Sequence, residues 1–89
     1  MAMCIVMNFP GSKLSDVEPV FKELTAPGRP KGIATQVVGE SSEGVTIITL
    51  WDTPDAQSFY QEKVKPKLEK SGLRHVPNVL EVKHHYQRV

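Results

Sequence analysis

Few side chains in this sequence have the chemistry to build a site. They are the pair His84-His85, the single Cys4, a histidine at His75, and the polar or aromatic groups Asn8, Trp51 and Tyr60 set among apolar residues. The histidine pair invites a metal. Neighbouring residues of a strand point to opposite faces, so the two rings cannot chelate one ion. No other His or carboxylate stands at ligand spacing to complete a set. One cysteine cannot hold a four-thiolate iron–sulfur cluster or a Cys-rich zinc ion. No dinucleotide-binding glycine pattern occurs. The expectation is therefore a protein with no tightly bound metal, haem or flavin, and no cofactor. Acid–base chemistry remains open to whichever of the strand histidines faces inward, His84 or His85, because imidazole titrates near neutral pH.

The stretch ITLWDTPDAQSFY (48–60) joins a buried-strand pattern to the start of a helix, with the only Trp of the chain at the junction. A ring of that size covers the gap where a helix leaves a sheet, either as packing or as the wall of a pocket for a flat ligand. Phe59 and Tyr60 follow on the helix. A buried Tyr60 hydroxyl requires a partner. Asn8 is polar within an apolar strand and either bonds the adjacent turn or anchors a ligand. His75 falls in a predicted loop beside Pro77, where it reads as a solvated side chain unless it serves a site. Cys4 reads as a small buried residue on a strand.

Eighty-nine residues form one domain with a modest core and no disulfide to support it. Eleven Lys and Arg against 10 Asp and Glu leave no general attraction to nucleic acid or an anionic membrane. The apolar N-terminus MAMCIVMNF lacks the basic flank and cleavage site of a signal peptide and is too short to span a bilayer. A single cysteine suits the reducing cytoplasm.

Residues 3–9 predict a strand stopped by Pro10-Gly11. Val17, Val20, Phe21 and Leu24 share one face of a first helix. Its start is open: Ser15 or Asp16 serves as cap, or the helix begins near Ser12 with a kink at Pro19. GIATQVVGE and GVTIITLWD predict a hairpin. Thr53 is expected to cap a second helix with Pro54 at its first position. Ala56, Phe59, Tyr60, Val64 and Leu68 line its inner face, Pro66 kinks or breaks it, and Gly72 ends it. A loop through His75, Val76 and Pro77 leads to a last strand, VLEVKHHYQ. The order is β-α-β-β-α-β, an α+β ferredoxin-like plan with a four-stranded antiparallel sheet and both helices on one face.

Two helices cover one face only, yet both faces of the sheet are apolar. Val45, Ile47, Thr49 and Trp51 alternate with Thr46, Ile48 and Leu50; Met3, Ile5, Met7 and Phe9 alternate with Cys4, Val6 and Asn8. A second copy packed sheet on sheet is the expected cover, making a homodimer.

VTIITLWDTPDAQSFYQEKVKPKLEKSGL resembles the core of the dimeric α/β-barrel superfamily that includes antibiotic-biosynthesis-monooxygenase-like proteins, and is most similar to small uncharacterised bacterial members. The shared features are a strand ending in Trp-Asp-Thr, a helix with an early aromatic, Pro-Gly after the first strand, a Pro-bearing turn here written VKPKL, and a histidine on the last strand. The resemblance implies a dimeric barrel. It also implies a cofactor-independent monooxygenase-like reaction, in which a deprotonated aromatic or polyketide-type substrate gives its own electrons to oxygen. Site candidates carried by it are Asn8, Tyr60, His75 and His84 for catalysis, and Trp51, Gln36 and Phe59 for the substrate. Gln36 departs from the histidine that many small relatives place there. Haem-degrading relatives would need an axial histidine where Lys70 stands, which argues against haem. The β-α-β-β-α-β order is shared with RNA-recognition modules, but the third strand lacks their central aromatics. The expected partners are a second copy of the chain and a small aromatic ligand, with a non-catalytic dimeric binding protein as the alternative.

Overall fold

The computed structural model describes residues 2–25 and 32–84. Four strands, β1 (Met3–Pro10), β2 (Ile33–Ser41), β3 (Gly44–Trp51) and β4 (Val76–Glu81), form one antiparallel sheet in the order β2-β3-β1-β4. Helix α1 (Leu14–Thr25) follows β1. A second helical segment follows β3, built from α2 (Ala56–Phe59), a π-helical turn (Tyr60–Val64) and α3 (Lys65–Ser71). The ferredoxin-like plan read from the sequence is the observed one.

The register fixes the faces. Met3 pairs with Trp51, Ile5 with Thr49, Met7 with Ile47 and Phe9 with Val45. These residues face the helices, and the core forms where they meet Val17, Ala56, Tyr60, Val64 and Leu68. In β2, Gln36 and Val38 join this face opposite Thr49 and Ile47. A bulge between Ile33 and Thr35 places Ala34 out of register, so Ile33 pairs with Trp51 while Thr35 pairs with Leu50. Without that extra residue Ile33 would point to the opposite face.

That opposite face is uncovered in the single chain. Val37 is 53% exposed, Ile48 40%, Val76 52% and Leu80 44%. Cys4 and Val6 lie between them by register.

Three elements differ from the sequence reading. α1 begins earlier than either capping alternative, nearest to the start at Ser12. Lys13 is the residue before it, and the Asp16 carboxylate accepts the Lys13 N–H at 2.9 Å. The Leu14 N–H donates to Glu40 Oε2 at 2.7 Å. Glu40 comes from β2, and no local pattern announces such a cap. Pro19 therefore sits inside the helix.

The second helix continues through Pro66, but its regular α-helical bonding is interrupted just before it, by the π turn at Tyr60–Val64. The Lys65 N–H bonds the Tyr60 carbonyl five residues back. A proline in an α-helix clashes with the carbonyl four residues before it, and the wider π turn just ahead of Pro66 relieves this. The same turn aligns the buried face. Ala56, Tyr60, Val64 and Leu68 are four residues apart, and an α-helix would rotate about 40° too far at each such step. Regular helix starts at Ala56 rather than Pro54, although Thr53 Oγ1 still accepts the Asp55 N–H at 3.4 Å. The segment closes at Gly72 in the left-handed region, as expected.

β4 begins at Val76 and ends at Glu81, several residues earlier than predicted. Val76 and Pro77, read as loop, belong to it. β4 is an edge strand, where a residue without an N–H costs no ladder bond if that side faces solvent.

Candidate functional site

Trp51 is 2% exposed, and its ring meets Phe59 at 5.2 Å between centroids, tilted by 47°. The chain passes it at Gly32, with φ of +101°. A Cβ there would lie 2.8 Å from Thr53 Oγ1 and 3.4 Å from the Trp51 ring. The Asp52 N–H donates to the Gly32 carbonyl at 2.8 Å, tying β3 to the approach of β2. A side chain at position 32 would thus be strained and crowded against the wall of the cavity. This is why the junction WDT needs a glycine beside it.

Beside Trp51 lies a small apolar cavity of about 30 Å³, lined by Phe21, Gln36, Thr49, Trp51, Phe59 and Val64, among others. That is room for a water molecule or two. Thr49, 5% exposed, is a buried polar residue of the core face. The indole Nε1–H of Trp51 is buried with no hydrogen-bond partner among the described residues. An unpaired buried donor costs about 1–3 kcal/mol, so it favours any acceptor that reaches it.

Tyr60 does not line this cavity. It is 3% exposed, and its hydroxyl lies 2.9 Å from His75 Nε2. The His75 ring also packs against Phe9 at 6.3 Å. His75 is half-buried, in contrast to the solvated loop residue the sequence suggested. Burial, and then the charge of Glu69, raise the Tyr60 pKa above that of a free phenol. Tyr60 and His75 thus form one pair, and Trp51, Phe59, Gln36 and Thr49 form another group.

Asn8 belongs to neither. Its register opposite Thr46 puts it on the uncovered face, where it accepts the Thr46 hydroxyl at 2.8 Å. The alternation of β1 separates it from Trp51 by a full sheet thickness. His84 lies beyond the end of β4 and is exposed, so it is not the strand residue that was expected. His85 lies outside the described residues. Cys4 is half-buried on the uncovered face, and burial raises its thiol pKa. Among the described residues no group of three or more His, Cys, Asp or Glu gathers to hold a metal ion. No helix among them is long and apolar enough to cross a membrane.

Thr49 is the cavity residue that sequence reasoning did not single out. Its signal was present: it stands two residues before Trp51 on a strand, hence on the same face.

The fold is the ferredoxin-like α+β architecture of antibiotic-biosynthesis-monooxygenase-like structures. SnoaB, a cofactor-independent oxygenase from Streptomyces nogalater, matches with a TM-score of 0.63 at 14% identity, covering 98% of this chain and 97% of its own. Rv0793 from Mycobacterium tuberculosis matches with a TM-score of 0.66 at 11% identity, covering 98% and 100%. A dimeric ferredoxin-like protein of unknown function from Bacteroides fragilis matches at 0.51 and 13% identity, covering 91% and 96%. No protein-family profile and no curated protein sequence matches the chain.

Proposed function

We propose that this protein is a homodimeric α/β-barrel enzyme of the cofactor-independent monooxygenase type, acting on a small hydroxylated aromatic beside Trp51. The observation that carries the reading is an apolar cavity lined by Trp51, whose buried N–H has no partner among the described residues, with Gln36 and Thr49 as its polar lining. A flat ring would stack among Trp51, Phe21 and Phe59. Its phenolic oxygen would take the indole N–H, and the Gln36 amide would supply a second donor. Donors to the anionic form lower the pKa of a bound phenol, which then releases its proton to solvent. The phenolate, dioxygen and one proton taken back from solvent give a quinone and water, so the substrate supplies all the electrons and no added reductant enters the balance.

At about 30 Å³ the cavity does not admit a ring as it stands. Binding requires the half-buried Phe21, Leu24 and Phe59 to move, so ligand entry is coupled to opening of the helical layer. The small volume favours the second reading, a non-catalytic dimer that binds a ligand or partner. Homodimerisation is supported by the exposed apolar face and by the dimeric Bacteroides fragilis relative in fold.

The test is fluorescence of the single Trp, titrated with flat hydroxyaromatics, together with oxygen uptake without added cofactor. Saturable quenching that weakens in Gln36→Ala, with oxygen consumed, supports the enzyme. Quenching without oxygen uptake supports the binding protein. No quenching at millimolar ligand removes the aromatic site altogether. Tyr60→Phe serves as the control, because Tyr60 lies outside the cavity lining.

A further inference from the structure

The helical layer carries a second concavity, separate from the Trp51 cavity. Between α1 and the second helical segment lies an open groove of about 530 Å³, within the range of small-molecule sites. Val20 and Pro66 give it apolar surface. Lys63, Lys67 and Lys70 reach it from one helix, and Glu23 from the other. Their spacing of four and three residues places the three ammonium groups on one helical side. Lys67 is engaged by Glu23 at 3.0 Å. Lys63 and Lys70 make no ion pair or hydrogen bond among the described residues. Three cations against one carboxylate leave this groove two charges positive, in a chain whose net charge is only +1. The surplus is therefore local.

We propose that the groove binds a small organic phosphate monoester. Lys63 and Lys70 would flank the phosphate, as compact point charges do. The apolar body of the ester would rest on Val20 and Pro66. Glu23 would act as an internal competitor, holding Lys67 until a stronger anion displaces it. That role gives the proposal its sharpest consequence: removing a carboxylate from the site should strengthen binding.

Phenyl phosphate and inorganic phosphate are titrated into the whole chain, and the lysine side-chain resonances are followed by NMR. Phenyl phosphate is expected to saturate Lys63, Lys67 and Lys70 at millimolar concentration and to bind more tightly than inorganic phosphate. Glu23→Gln should tighten binding about two- to fivefold, the worth of one exposed ion pair. Lys63→Gln combined with Lys70→Gln should abolish saturation without changing the melting temperature. Added salt should weaken binding. The proposal is overturned by linear, unsaturable shifts up to about 10 mM, by weaker binding in Glu23→Gln, or by equal affinity for the two phosphates. Quenching of Trp51 by aromatics is independent of all these outcomes.

Discussion

Tyr60→Phe isolates a single bond and keeps the ring that packs in the core. The hydroxyl is buried and meets His75 at 2.9 Å. A neutral hydrogen bond contributes about 0.5–1.5 kcal/mol net. His75 is half-buried and can recover a water partner, so the cost of orphaning its ring nitrogen stays small and about 1 kcal/mol is expected. For a domain of this size that is about 4–8 °C in melting temperature. His75→Ala should cost more, about 1–3 kcal/mol, because it strands the hydroxyl of a residue only 3% exposed. The double variant should then be less destabilised than the sum of the singles by at least about 0.5 kcal/mol. Alkaline pH gives a second signature. The folded Tyr60 pKa is raised, so the native state holds its proton more tightly than the unfolded chain. That stability is fully present below the unfolded phenol pKa and is lost as pH rises through the folded value. Wild type should lose urea stability above about pH 10 more steeply than Tyr60→Phe. Equal stability of wild type and Tyr60→Phe, with parallel alkaline profiles, would refute the reasoning.

For the proposed homodimer, Ile48→Asp should cause dissociation or unfolding at a cost of about 3–5 kcal/mol, seen as halved mass in sedimentation or as lost cooperativity on melting. A neutral effect would show that the uncovered face meets solvent. Gly44→Ala should cost about 2 kcal/mol or more in urea unfolding, because φ is +146° and a Cβ would clash with the Phe9 carbonyl oxygen. Glu40→Ala should cost about 1 kcal/mol, the scale of a lost helix cap, and should speed amide exchange at Leu14, whereas Glu40→Gln keeps an acceptor and most of the stability.

The element order, the inner faces of the strands and the uncovered apolar face were legible in the sequence. Each depends on periodicity, and strand alternation is a local property of the chain. Val45, Ile47, Thr49 and Trp51 had to share a face whatever β3 paired with. Gly72 ended its helix for an equally local reason, the left-handed conformation after the last turn.

Relations between strands were decided only in three dimensions. Whether Asn8 shared a face with Trp51 depended on which residue of β1 opposed which residue of β3, and the observed register sends Asn8 to the other side. The bulge at Ala34 turned Ile33 toward Trp51 without any local turn signal. Pro77 reads as a breaker until β4 is known to be an edge strand. Pro66 reads as one until the π turn before it is seen. His75 looked solvated because its partner, Tyr60, is fifteen residues away and reaches it only through the packing of the helix against the sheet. Local sequence sets the direction of a side chain within its own element. Which atoms it meets is set by how the elements dock, where core packing and the pairing of buried polar groups outweigh local preference.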